Sequence, residues 1–205
     1  MGKVQTGRVI EFYSNSCLVD INGQKLPCSI LGKQDIVVGD NVFLEYQNDK
    51  DIKSIIITSR AKRLSKLNKK GLRNSKAIAA NISHVGILLV QNPKTSTEFI
   101  DKWIVSALAS NIKPFIINNK IDIDIDIEYA QKLKIYKNLD IKIFDVSAKR
   151  GDGIDSLQRY LENKCTIFVG NSGAGKSTLT SKLTGRDIKT KSLSNNQGGH
   201  TTSIS

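Results

Sequence analysis

Residues Gly170-Asn171-Ser172-Gly173-Ala174-Gly175-Lys176-Ser177 spell G-x-x-x-x-G-K-S. Such a loop binds a polyphosphate chain, because its glycines let successive backbone amides turn inward around the anion. A strand before it (Thr166 to Val169) and a helix after it (Lys176, Ser177, Thr178, Leu179 onward) are the context this chemistry needs. The helix start then adds partial positive charge under the phosphates. Lys176 is placed to neutralise β- and γ-phosphate oxygens, and the Ser177 hydroxyl to ligate Mg²⁺. A glycine-rich surface loop without a ligand is the bland alternative, and the strand and helix on either side argue against it.

The loop alone does not choose a base. Asn119-Lys120-Ile121-Asp122, just after an apolar strand at Phe115 to Asn118, supplies the choice. A carboxylate at Asp122 accepts from both the ring N–H and the exocyclic amine of guanine. Adenine offers no such donor pair and would leave the charge unpaired, an asymmetry able to discriminate by roughly 10⁴-fold. Asn119 would brace the loop and the Lys120 stem would lie over the base. Ser147-Ala148-Lys149, after a strand ending at Val146, would offer a backbone N–H to the guanine carbonyl and a lysine stem to the other face. All three motifs fall at strand carboxyl ends, where open α/β sheets bind ligands. A P-loop ATPase is the rival reading, and Asp122 opposes it.

These residues need a scaffold, and the second half of the chain describes one. Strand-like His84 to Val90, Phe115 to Asn118, Ile141 to Val146 and Thr166 to Val169 alternate with helical Glu98 to Ser110, Glu128 to Tyr136, Ile154 to Leu161 and Lys176 to Leu183. That alternation predicts a parallel, doubly wound sheet. Ile100, Trp103, Ile104 and Leu108 should line the buried face of the first helix. Ile121 to Ile127 alternates Ile and Asp like a strand. It is expected instead as a loop and helix entry, since Asp124 and Asp126 suit the positive end of a helix dipole.

Residues 1–60 differ. Arg8 to Tyr13, Ser16 to Ile21, Gln24 to Ile30, Asn41 to Gln47 and Asp51 to Thr58 are short strands, separated by Asn22-Gly23, Gly39-Asp40 and Asn48-Asp49-Lys50. Five such strands suit a small closed β-barrel, an OB-fold first and an SH3-like barrel second. Between the two regions, 61–76 is expected as a basic linker. Arg60, Lys62, Arg63, Lys66, Lys69, Lys70, Arg73 and Lys76 carry no acidic neighbour between them. With 31 Lys+Arg against 19 Asp+Glu, a net charge of +12, this clustering points to a polyanionic partner, with a solvated connector as the alternative.

Other classes fall away. The longest apolar run, Val85 to Val90, is too short to span a bilayer, and the first residues lead into no secretory signal, so no membrane role and a cytoplasmic location are expected. Met1-Gly2 with Thr6 fits a myristoylation pattern only by its shortness. Cys17, Cys28 and Cys165 are too few and too scattered for a disulfide framework and are expected as small buried side chains. His84, beside an apolar strand, is expected to pack or face solvent.

The order of the motifs narrows the family. The base-reading loops at 119 and 147 precede the phosphate loop at 170, the reverse of an ordinary G domain. With a barrel in front, the arrangement resembles the RsgA (YjeQ) family of small-ribosomal-subunit-dependent, circularly permuted GTPases. Val38-Gly39-Asp40, Lys76-Ala77-Ile78-Ala79-Ala80-Asn81 and Gly199-His200-Thr201-Thr202 support the resemblance. It implies an OB-fold barrel at 1–60 and a permuted α/β P-loop GTPase domain at 77–205. It implies hydrolysis of GTP to GDP and phosphate with Mg²⁺, and contacts to the small ribosomal subunit and its rRNA by a monomer. Gly198 to Ser203 then looks like switch I, with Thr202, or second Thr201, reaching Mg²⁺ and the γ-phosphate. His200 corresponds to a histidine that positions the attacking water; an exposed loop histidine without a catalytic part is its alternative. Lys176, Thr202 and His200 are thus the implied catalytic set.

The family's D-x-x-G element, expected after switch I, and its carboxy-terminal zinc-binding domain do not follow Gly198 to Ser203 in this sequence, and the scattered cysteines cannot replace the zinc ligands. A shortened or split reading frame is therefore expected. Of a sheet in the order 2-3-1-4-5-6 it would keep 1-4-5-6, with the phosphate-loop strand at an edge and hydrolysis poor. A non-catalytic rRNA-binding remnant is the alternative function.

Overall fold

The computed structural model describes residues 5–13, 16–49, 52–69, 76–124 and 126–185. The chain divides into two compact units, one running to Ile82 and the other starting at Ser83.

In the first unit, β1 (Gln5–Tyr13), β2 (Ser16–Ile21), β3 (Gln24–Ile30), β4 (Asn41–Asp49) and β5 (Ile52–Arg60) close into a barrel in the order β1-β2-β3-β5-β4. β1 pairs antiparallel with β4, and β3 pairs parallel with β5, which gives the OB-like order rather than the SH3-like one. Alternation drives closure: along β2, Cys17, Val19 and Ile21 point inward while their neighbours do not. Asn22 and Gly23 both adopt positive φ (54° and 87°), the conformation of a two-residue hairpin turn. Cys17 and Cys28 are buried in this core, whereas Cys165 is only half-buried, so the expectation of burial holds for two cysteines of three.

The basic stretch is not a bare linker. β6 (Lys66–Lys69) pairs antiparallel with β7 (Lys76–Ala80), and Ala79 bridges to Val38, so 76–82 belongs with the barrel rather than opening the second unit. Arg63 is withdrawn from solvent. Its guanidinium donates to both oxygens of the fully buried Asp40 at 2.7 and 2.8 Å, and to Asp35 at 2.8 Å. Arg63 holds the Asp35 carboxyl below its usual value. Asp40 also accepts from the Val37 N–H at 2.8 Å. Next to it, the Asn81 amide donates to Gly39 O at 2.9 Å and accepts from the Leu64 N–H at 2.7 Å.

The second unit is a four-stranded parallel sheet, β10-β9-β8-β11, comprising β8 (His84–Leu89), β9 (Lys113–Asn119), β10 (Ile143–Val146) and β11 (Thr166–Val169). α1 (Thr97–Leu108), α2 (Ile127–Asn138), α3 (Ile154–Leu161) and α4 (Lys176–Thr184) connect or follow the strands. Every residue of β8 is buried, as a central parallel strand requires. A Cβ on Gly86 would lie 2.7 Å from Phe168 and 2.8 Å from Phe115, so this position admits no side chain. Among the described residues, β11, which leads into the glycine-rich loop, is at an edge of the sheet.

Ser96 caps α1 by accepting from the Phe99 N–H, and the buried face is Ile100, Trp103, Ile104 and Ala107. Leu108, expected on that face, is 56% exposed; the helix phase gives its place to Ala107. Asp126 caps α2, accepting from the Tyr129 N–H at 2.7 Å, so the Ile/Asp alternation does end as a helix entry. His84 packs edge-on to Phe115 and Tyr160. No helix among the described residues is long and apolar enough to cross a membrane.

Candidate nucleotide-binding site

The parallel register brings the ends of β9 and β10 level, Val146 opposite Asn119. β8 stops at Leu89, leaving room above it for the loop that follows β11. Gly170 fits that space because a Cβ there would lie 2.9 Å from Leu88. At the other end of the loop, Gly175 takes φ +89° as the cap of α4, and a Cβ would lie 2.4 Å from the Asn119 side chain. Both the conformation and the close approach demand glycine there.

Asn119, 3% exposed, is the hub. Its amide donates to Ala174 O in the phosphate loop at 2.9 Å, and its carbonyl accepts from the Ala148 N–H at 3.0 Å. One side chain therefore ties together all three motifs read from the sequence. A neutral amide with a donor and an acceptor is what this double task requires.

Asp122 accepts from the Ser147 hydroxyl at 2.6 Å, and that hydroxyl in turn accepts from the Arg150 N–H at 3.1 Å. The Ser147 hydrogen bond, helped by the charges of Arg150 and Lys149, holds the Asp122 carboxyl below the usual carboxylate range. It is thus a pure acceptor at neutral pH, the form that reads a donor pair. Ile121 ties this loop to β10 by donating its N–H to Val146 O at 3.3 Å. Of the amides in Ser147-Ala148-Lys149, the first donates to Asp152 O and the second to Asn119, so a purine carbonyl must share the Ala148 amide or take that of Lys149.

Lys176 opens α4 with its ammonium on Gly170 O at 2.7 Å and Asn171 O at 2.9 Å, within the turn formed by Gly170, Asn171, Ser172, Gly173, Ala174 and Gly175. Burial lowers its pKa. Half-buried Ser177 and exposed Thr178 follow it on the first turn of the helix. The donor set fits a phosphate chain with a hard cation: one ammonium, one hydroxyl and a ring of amides. His200, Thr201 and Thr202 lie outside the described residues. Among the described residues, no group of three or more His, Cys, Asp or Glu side chains could hold a metal ion by itself.

Sequence reasoning missed the loop between β8 and α1. Lys120, in the left-handed region at φ +67°, donates its ammonium to Asn92 O at 2.7 Å. Pro93 lies across from the phosphate loop, 3.4 Å from where a Cβ on Gly173 would sit. Gln91 and Asn92 face Lys120, Ile123 and Tyr129 across a small cleft. Position at a strand carboxyl end was the one available signal.

Comparisons with known proteins bear on the family and the fold. The family model described as RsgA GTPase matches residues 57–205. The chain is 33% identical over 203 residues to the small ribosomal subunit biogenesis GTPase RsgA of Flavobacterium psychrophilum, covering 90% of this chain and 62% of that one. Among solved structures, YjeQ from Thermotoga maritima superposes with a TM-score of 0.68 at 31% identity, over 92% of this chain and 68% of that one. YloQ, a circularly permuted GTPase, shares the fold at TM-score 0.60 and 21% identity, over 88% of this chain and 64% of that one. The chain spans 62–64% of the length of the curated relatives it matches. A barrel followed by a sheet in which the Asn119 and Ser147 loops precede the glycine-rich loop at 170–177, with the family model matched over most of the chain, makes this protein a member of the RsgA GTPase family.

Proposed function

We propose that this chain binds GTP and GDP with Mg²⁺ and serves a GTPase of small ribosomal subunit biogenesis, working in the cytoplasm on rRNA-containing particles. The observation that carries the reading is Asn119, joined at 2.9 and 3.0 Å to the phosphate loop and to the Ser147-Ala148-Lys149 loop. A base-reading site and a phosphate-binding site held by one side chain suit a single nucleotide. Asp122 would take the guanine N–H pair, Lys120 and Lys149 would flank the ring, and the amides of 170–175 would hold the phosphates. Ser177 would hold Mg²⁺, which supplies charge neutralisation between the phosphates. Thr202, with Thr201 second, would complete that shell, and His200 would orient the attacking water.

Two measurements test this. Titration with a fluorescent guanine nucleotide should saturate in the micromolar range and be competed by GDP but not by ADP; no binding at high micromolar concentration rejects the reading. Phosphate release should rise when small ribosomal subunits are added, and a rate unchanged by them rejects the biogenesis role.

A further inference from the structure

Resting on the guanine reading above, we infer that Gln91 is a positioning residue that sets base selectivity by clamping the loop that carries Asp122. The loop begins at Lys120 and ends at Asp126, and both ends are gripped from the same short segment after β8. At its start, the Lys120 ammonium is held on Asn92 O at 2.7 Å. At its end, the Gln91 side chain makes a two-way contact. Its carbonyl accepts from the Asp126 N–H at 3.1 Å, and its amide donates to the Asp126 carboxylate at 3.2 Å. Asp126 has a second task, since its other oxygen caps α2 through the Tyr129 N–H at 2.7 Å. Asp122 sits between the two grips, and its tether to the Ser147 hydroxyl fixes a single oxygen.

The physical consequence is specific. Discrimination by Asp122 depends on two hydrogen bonds made at once to neighbouring donors, and it fades steeply as the carboxylate tilts or shifts. Phosphate contacts, made by amides of another loop, do not depend on that tilt. Loosening Gln91 therefore lowers selectivity among bases more than it lowers affinity for the diphosphate common to all of them.

Inosine diphosphate, which lacks the exocyclic amine, is the probe. In the full 205-residue chain, the ratio of IDP to GDP dissociation constants is measured for the wild type, Gln91→Glu and Gln91→Glu/Asp126→Asn, with thermal melts alongside. Gln91→Glu removes the amide donor and sets two carboxylates against each other. The double variant restores a donor–acceptor pair with the polarity exchanged, while asparagine still caps α2. The expected result is a ratio that falls about tenfold in Gln91→Glu, the size of one hydrogen bond to a charged group, and returns to within about threefold of wild type in the double variant. Equal weakening of GDP and IDP, an unchanged ratio in a folded Gln91→Glu, or absence of rescue overturns the inference while leaving guanine binding intact. A wild type that does not prefer GDP to ADP overturns the guanine reading and this inference with it. Should Gln91→Glu prove unfolded by its melt, Gln91→Ala, which adds no repulsion, gives the same ratio and is judged by the same outcomes.

Discussion

At the scale of single residues, the site depends on acceptors and donors being of the right kind rather than on their number. Asp122 is held ionised by the Ser147 hydroxyl, so it can only accept, and guanine is the purine that offers two adjacent donors. Exchanging one oxygen for an amide reverses half of that code. Asp122→Asn should weaken GDP binding by about 100-fold, the order expected when a buried donor loses its acceptor. It should bind xanthosine diphosphate better than wild type does, because xanthine carries a carbonyl where guanine carries an amine. The Ser147 contact survives, since asparagine still presents an oxygen to that hydroxyl. Competition titrations with the two diphosphates check both halves, and a variant that loses both nucleotides alike would place the fault in folding rather than in recognition.

At the scale of elements, the chain shows which features a sequence discloses and which it hides. The proximity of the three loops at 119, 147 and 170 was legible because parallel strands present their carboxyl ends together, so order and spacing along the chain predict it. The Asn119 hub was legible as a brace, but its partners Ala174 and Ala148 follow only from the register of β9 against β10 and the early end of β8. Gln91 carried no signal, because its partner Asp126 is 35 residues away and the contact is between side chains. In the basic stretch, charge is visible in the sequence, burial of its partner is not. Arg63, one of the eight clustered charges, is a structural cation, 8% exposed against a fully buried Asp40.

Two predictions belong to these elements. Breaking a buried ion pair from one side leaves an uncompensated charge and costs about 3–5 kcal/mol. Asp40→Ala and Arg63→Met should each lower the first unit's stability by that amount in denaturant unfolding, and a loss below about 1 kcal/mol would refute the pairing as a structural device. In the second unit, burial, then the charges of Lys164 and Lys113, depress the His84 imidazole below its ordinary 6.5. Between its lowered folded value and 6.5 the unfolded chain binds more protons, so stability rises with pH through that window and is flat with respect to this group above it. His84→Gln should flatten the rise, as read from melting temperature between pH 5 and 7.5.

At the scale of the whole molecule, the charge of +12 has to be divided before it explains anything. The ion-paired cations supply none of it: Arg63 is matched by Asp40 and Asp35, and Lys94 by Glu128 at 2.8 Å. Lys62 and Lys66, in contrast, are exposed on the stretch between β5 and β7, where they can displace the cations condensed on a polyanion. Each phosphate neutralised in this way contributes about 0.7 to 0.9 to the slope of log affinity against log salt. Binding of this chain to small-subunit rRNA should therefore fall steeply between 50 and 200 mM salt, by about 10³-fold if six or more phosphates are engaged. Lys62→Ala and Lys66→Ala should each lower the slope by nearly one. Lys94→Ala, whose ammonium already has a carboxylate, should leave it unchanged, which separates contact at the barrel-side stretch from the diffuse attraction of any basic protein. If all three lysines shift the slope alike, net charge rather than this surface draws the chain to RNA.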